Sequence, residues 1–513
     1  MYAYGSATQS VRDRKFSDPS DELRIALSFH GANGGPGPTK FDAPVSLAAV
    51  YRFIPDPLEM DKAIHAFTQA GFRLSQRGRL TASLRCTRAQ YEKVFGTKLT
   101  KVKLNSKEDY SFYSLYYPAP GAPWQPDPNL ASLVDDAYIQ WPHIYMAKKK
   151  PKKKPKKKPV AQGTSVNPPS VDYFHLGVPH GVPAQLNASA VHSAGTTGKG
   201  VRIVMVDSGF AHGSHPFFGA NGYSSTVDLA PNAVNDKTDV NGHGTGESTN
   251  IFAVAPGATF IGVKVDNDND PQRGASMLEG FQTAMQHQPH VISISMGYDL
   301  RDANGQLKEL PNSLAALEAE IQAAVAAGVV VVFSAGNGHF SFPGMMPDVI
   351  SAGGVFVDQN GNAQASDYAS AFSSKIYSGR NVPDFCGLVG MQPHASYIML
   401  PIPPGCEIDK ETSAPSDPPG DGTSVDDGWG VFSGTSAAAP QLAGVCALLL
   451  EKNPGLKPSD IKAVLRSTSR DVLVGHANPS SSDDMKTPVA AGPGDDGATG
   501  AGLVDAFAAW KQV

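Results

Sequence analysis

In the second half of the chain the hydrophobic positions come in short unbroken runs: VRIVMV (201–206), FIGVKV (260–265), VISIS (291–295), GVVVVFS (328–334) and DVISAGGV (348–355). A strand with one wet face alternates apolar and polar residues. A strand covered on both faces does not, and such strands belong to parallel sheets. Helical stretches such as SLAALEAEIQAAVAAG (313–328) lie between the runs. The pattern predicts an α/β fold, a doubly wound, mostly parallel sheet with helices on both faces. In such a sheet the loops after the strands carry the chemistry.

The first part of the chain patterns differently. ELRIALSF alternates like a strand, and Asp56-Pro57 with Glu59 opens a helix whose Met60, Ala63, Ile64 and Phe67 share one face. GFRLSQRGRLTASLRC reads as two strands around a turn, Thr87 and Gln90 form a second capping box, and TKLTKVKL reads as a fourth strand. The order β-α-β-β-α-β predicts a small ferredoxin-like α+β unit. Between the two parts, the Lys-Pro repeat from Lys148 to Pro159 repels itself and has no residues for a core. The expected organisation is therefore a first domain over 1–145, a Lys/Pro-rich linker over 146–168 and a catalytic domain over 169–513.

Composition narrows the class. The 513 residues carry a net charge of −5 although the repeat alone holds a block of lysines, so the remainder is distinctly acidic. A solvated linker is the plain reading of the repeat, and contact with nucleic acid or an anionic surface is the sharper alternative. No apolar run is long enough for a membrane span. The first twenty residues lack the pattern of a secretory leader, so the expectation is a soluble chain made in the cytoplasm. The four cysteines (Cys86, Cys386, Cys406, Cys446) are too few for a disulfide framework. A Cys386–Cys406 bridge is conceivable in an oxidising compartment, free thiols otherwise.

Four local oddities stand out. Asp207-Ser208-Gly209 follows the first apolar run, and His243 sits between glycines in NGHGTG. Asn337 lies in SAGNG after the most hydrophobic run. Ser436 follows Gly434-Thr435 at the head of a strongly apolar helix that carries Pro440 near its start. Singly these read as a turn, a structural histidine, an Asn-Gly turn and a helix cap. Together they supply what acyl transfer needs: a serine, a histidine to activate it, an acid to hold the histidine's tautomer, and an oxyanion donor.

The segments GKGVRIVMVDSG, NGHGTG, VISISMG, FSAGNG, FPGMMPDVISAGGV, FSGTSAAAPQLAGVCALLL and GAGLVDA, in this order from about Gly198 to Ala506, resemble the subtilisin family of serine proteases. The resemblance implies a serine-type endopeptidase with Ser436 as nucleophile, His243 as general base and acid, and Asp207 as orienting carboxylate. It implies an oxyanion hole from the Asn337 amide and the Ser436 backbone N–H. A peptide substrate would pair with Ser295-Met296-Gly297, with Ser334-Ala335-Gly336 walling the specificity pocket. It also implies a precursor whose N-terminal domain is an intramolecular inhibitor, and no cofactor for the chemistry.

The chain departs from the family pattern at three places. Gly246 stands where many relatives have a second histidine. The path HGTGESTNIFAVAPGATF omits the loop that binds a structural calcium in many relatives, leaving only acidic loops such as DNDND (266–270) as cation candidates. The segment 390–428 is an insertion, read as a lid or a partner surface. AFTQAGFRLSQRGRLTASLRCTRAQYEKVFGTKL is similar to the activation domain of sedolisin (kumamolisin-type) proteases. Those enzymes use a Glu/Asp pair in place of His243, and Glu247 invites that reading, but Asp207 and Asn337 argue against it. His212-x-x-His215 is read as a surface loop rather than a metal pair. A peptide ligase or macrocyclase on the same scaffold and a non-catalytic binding relative are the alternative functions.

Overall fold

The computed structural model describes residues 21–40, 43–103, 114–119, 126–145, 164–270, 273–302, 304–393, 395–413, 420–480 and 487–513. The Lys-Pro repeat lies outside these residues.

The N-terminal part holds β1 (Glu22–Ser28), α1 (Pro57–Gln69), β2 (Arg73–Arg77), β3 (Thr81–Thr87), α2 (Arg88–Phe95), β4 (Leu99–Lys103), β5 (Ser114–Pro118) and β6 (Asp136–Ile139). Asp56 caps α1 through its carboxylate, and Thr87 caps α2 through its hydroxyl, as their spacing predicts. The sheet runs β2-β3-β1-β6 with every pairing antiparallel, the strand order of a ferredoxin-like unit. One expectation is corrected here. The TKLTKVKL stretch forms β4, which pairs with β5 in a separate hairpin, and β6 takes the fourth place beside β1. In β6, Ala137 and Ile139 are buried in the core beside Leu27, Phe67 and Phe95.

The central sheet is built from β7 (Arg202–Asp207), β8 (Ser225–Leu229), α3 (His243–Val254), β9 (Thr259–Lys264), α4 (Met277–Gln286), β10 (Val291–Ile294), α5 (Asn312–Ala326), β11 (Val330–Ser334), β12 (Ile350–Val357), β13 (Ala363–Ala365) and β14 (Phe385–Leu388). Among the described residues its order is β13-β12-β11-β10-β7-β9-β8, with β14 also on β12. Apart from the β12–β13 pairing, every pairing is parallel. The chain leaves β7 for β8 and then β9 on one side, and then crosses back to β10 on the other. That reversal opens a crevice at the carboxyl ends of β7 and β10, where such sheets place their sites.

The 390–428 insertion holds β15 (Ile398–Pro401) and α6 (Glu407–Thr412). β15 pairs with β16 (Trp429–Phe432), and Ile398, Met399 and Leu400 are wholly buried. Its described part is thus core, not a lid; residues 414–419 lie outside the described set. Next comes α7 (Thr435–Lys452), buried from Thr435 to Leu450. It packs on α3, β10, β11, β12 and β14, so its head is fixed by the whole core.

The N-terminal sheet lies on α4 and α5. Arg85 pairs with Glu279 at 2.8 Å, both side chains being almost wholly buried. Glu320 accepts from the backbone N–H groups of Arg79, Leu80 and Thr81 and from the Thr81 hydroxyl. Glu318 accepts from Val45 N–H and the Tyr377 hydroxyl. Each buried carboxylate of α5 therefore meets the donors that burial demands. Three other expectations are settled by packing. All four cysteines are buried and free, and the Cys386 thiol donates to the Thr499 carbonyl, so Cys386 and Cys406 do not bridge. His212 and His215 are core residues, not surface ones: His212 lies between the Ser225 and Ser248 hydroxyls, and His215 packs edge-on to Trp429. No helix among the described residues is long and apolar enough to cross a membrane.

Candidate active site

Asp207 is the last residue of β7, and His243 the first of α3. The turn that leads into α3 is set by Gly242 at φ +97°, a left-handed conformation that a side chain would strain. Asp239 fixes that turn. Its carboxylate accepts from Gly242 N–H (2.8 Å), Thr245 N–H (2.9 Å) and the Thr245 hydroxyl (2.8 Å), capping α3. The Ser208 hydroxyl donates to Asp239 (3.0 Å) and accepts from Gly244 N–H (3.0 Å), tying the strand end to the helix start. The result is a 2.6 Å contact between Asp207 Oδ1 and His243 Nδ1. It holds the imidazole with Nε2 directed away from Asp207, the tautomer a general base needs.

Burial disfavours charge on both partners. It pushes the imidazole down to about 3. Burial also lifts the Asp207 carboxyl well above the usual carboxylate range, while the Ser208 N–H at 2.7 Å favours the carboxylate. Part of the burial comes from the N-terminal part of the chain, because the Tyr145 ring lies 5.5 Å from the imidazole, centre to centre.

Ser436 is the second residue of α7, after Gly434 at φ +106°. A β-carbon at Gly434 would meet Asn337 Nδ2 and Tyr368 at 2.9 Å, so only glycine fits. Asn337 Oδ1 accepts from Thr435 N–H (2.9 Å) and the Thr435 hydroxyl (3.1 Å), which leaves the amide nitrogen as its donor end. Pro440 has no N–H for the Ser436 carbonyl one turn back. The Ser295 hydroxyl donates to that carbonyl instead, at 2.9 Å. The Ser436 hydroxyl donates to the Ser295 carbonyl at 3.4 Å. Thus β10 and β11 both clamp the head of α7.

Of the expected substrate edge, Gly297 is paired. Ile144 N–H donates to the Gly297 carbonyl (2.8 Å), and Gly297 N–H donates to the Ile144 carbonyl (3.1 Å), an antiparallel bridge. Met296 is buried beneath it, and the Tyr145 hydroxyl donates to Asp266 at 3.1 Å. Ser334, Ala335 and Gly336 continue from β11 to Asn337; Ala335 N–H donates to the Ala352 carbonyl, and Gly336 N–H donates to the Thr435 hydroxyl. Residues 146–163, which follow the paired segment in the chain, lie outside the described residues.

Asp239 and Tyr145 escaped the sequence reading. An aspartate four residues before His243 in TDVNGH was the available signal for a cap. Nothing local marks Tyr145. The acidic loop 266–270 spends its charge internally, since Asp268 binds the buried Lys264 ammonium at 2.5 Å and Asp266 takes Tyr145. Among the described residues no cluster of three His, Cys, Asp or Glu could hold a metal ion.

Comparison with known proteins matches the model of the Subtilase family to residues 198–502. Subtilisin E of Bacillus subtilis (strain 168) is 28% identical over 308 residues, covering 57% of this chain and 66% of that protein. Subtilisin of Bacillus pumilus is also 28% identical over 308 residues, covering 57% and 91%. The chain thus spans slightly under two-thirds of the full length of relatives such as subtilisin E. Among solved structures, fervidolysin from Fervidobacterium pennivorans, described as a keratinolytic enzyme related to subtilisin, shares the fold. Its TM-score is 0.52 at 18% identity, with 96% of this chain and 61% of that one covered.

Proposed function

From the premise that the chain belongs to the Subtilase family, we propose that it is a serine endopeptidase made as a precursor that its own N-terminal part inhibits. Ser436 Oγ attacks the scissile carbonyl as His243 Nε2 takes its proton. Asp207 stabilises the imidazolium through Nδ1. The carbonyl oxygen becomes an anion held by the Asn337 amide and the Ser436 N–H at the positive end of α7. The imidazolium then protonates the leaving amine, and water repeats the steps on the acyl-enzyme. The observation that carries this reading is the Asp207-held imidazole lying beside the segment Ile144-Tyr145, whose Ile144 forms an antiparallel bridge with Gly297 of the kind a bound peptide would form.

In the same reading Ile144 and Tyr145 hold the cleft as substrate does, and the bond cut lies shortly after Tyr145, at the start of the Lys-Pro linker. The N-terminal part then stays docked through Arg85, Glu318 and Glu320. Its sequence similarity to sedolisin activation domains fits that role. The test is a fluorophosphonate probe followed by peptide mapping. Label is expected on Ser436, and Ser436→Ala should lose both label and peptide cleavage. Label elsewhere, or a mutant that still cleaves, overturns the triad.

A further inference from the structure

The mechanism above leaves one buried acid unused. Glu247 lies on α3 one turn after His243, wholly buried. Its Oε1 faces His243 Nε2 at 3.8 Å, on the opposite edge of the ring from Asp207. Its Oε2 accepts from Asn250 Nδ2 at 2.9 Å. Asn250 Oδ1 in turn accepts from Gln441 Nε2 at 3.4 Å, and Gln441 Oε1 accepts from Leu388 N–H at 2.7 Å. The carboxyl is thus anchored to α7, the helix that Ser436 heads. A buried carboxyl with no ionic purpose is costly and easily replaced by an apolar residue. This one stands where the imidazole must accept and release its proton.

We propose that Glu247 acts through space on His243 from the Nε2 edge, 3.8 Å away, so that Asp207, His243 and Glu247 titrate as one unit and Glu247 is a positioning residue for the base. The inference deepens the triad reading and rests on it for its catalytic meaning. When Nε2 takes the Ser436 proton, the imidazolium lies between two carboxyl groups rather than beside one. An ionised Glu247 favours that imidazolium, and a protonated Glu247 leaves the imidazole neutral. Such a pair loses its protons in two steps that belong to the pair.

The surroundings supply the rest of the field. Tyr145 from the N-terminal part and Phe432 from β16 pack against the imidazole. Phe432 and Ile402 fill the space beside Gly246. Asp239 and Asp266 add negative charge around Asp207, and Lys264 and Glu407 act on Asp266. Burial, and then the nearby Asp207, raise the Glu247 carboxyl well above its ordinary range.

The test uses the full chain carrying Ser436→Ala, with nitrogen-15 in its histidines, titrated by NMR. His243 is assigned by the signal lost in a His243→Gln chain. With Glu247 present, the imidazole is expected to titrate in two steps. With Glu247→Gln, which keeps an acceptor for Asn250, one step should remain, its midpoint lower by about one pH unit or more. Glu247→Asp, which keeps the charge, should retain two steps. The other histidines, unchanged between variants, report an intact fold. The same curve with and without the carboxyl overturns the proposal. Because the chain lacks the nucleophile, the readout is independent of peptidase activity. A failed triad would show instead as cleavage that survives Ser436→Ala.

Discussion

The Asn337 amide oxygen holds Thr435, and in the proposed reading its nitrogen donates to the oxyanion. Asn337→Asp keeps the acceptor and removes the donor. Folding should survive while kcat falls by about 10²–10³ with KM little changed, as for the loss of one oxyanion donor. Equal losses in kcat and in thermal stability would make the residue a structural clamp only. His243 gives the pH response. If the N-terminal segment leaves and water returns to the imidazole, its pKa should climb from about 3 towards the ordinary value near 6.5. With His243 as the proposed base the neutral imidazole is the active form, so kcat/KM should rise with pH through a midpoint near neutrality and fall about tenfold per unit below it. An optimum near pH 4 retained by His243→Ala would contradict the assignment. The candidates Asp207 and Asn337 stood out in sequence because each lies at a small or glycine-rich turn after an apolar run, and His243 and Ser436 because glycines flank or precede them at the head of a helix. Asp239 was not, because an aspartate in a polar loop has the same local pattern whether it caps a helix or a turn.

At the scale of elements, the packing of β16 and of the residue after β15 accounts for the glycine at position 246. A β-carbon at Gly246 would meet Phe432 at 2.6 Å and Ile402 at 3.0 Å, the first from β16 and the second from just after β15. Where relatives place a histidine, this chain has packed a ring instead. Gly246→Ala should cost about 1–3 kcal/mol, read as a lower denaturation midpoint. Adding Phe432→Leu should restore part of the loss; no restoration would mean the clash lies elsewhere. On the other face of the molecule, Glu320→Ala would strip the acceptor from Arg79, Leu80 and Thr81. The cleaved N-terminal part should then bind about 5–150-fold more weakly, from about 1–3 kcal/mol for stranded donors. Unchanged binding would show that other contacts hold the sheet. The buried parallel strands were readable because polar residues are missing from them. β4 was misread because an alternating run such as TKLTKVKL fits a hairpin as well as a sheet, and only the later Ala137 and Ile139 decide which strand fills the core.

At the scale of the whole molecule, the N-terminal sheet lies on α4 and α5, and the segment that follows it pairs with Gly297 and reaches the His243 ring. The sequence carried the two patterns and the charged break between them. It could not carry the docking, which depends on Arg85 meeting Glu279 across 194 positions of chain. If the cleft is a working protease site filled by its own chain, the intact protein is its first substrate. The most direct measurement is the intact mass and N-terminal sequence of purified wild type beside Ser436→Ala. The account expects wild type as two pieces, the larger beginning shortly after Tyr145, and Ser436→Ala as a single full-length chain. A wild type that stays full-length yet fully active, or a Ser436→Ala chain cut at the same bond during self-incubation, would contradict it.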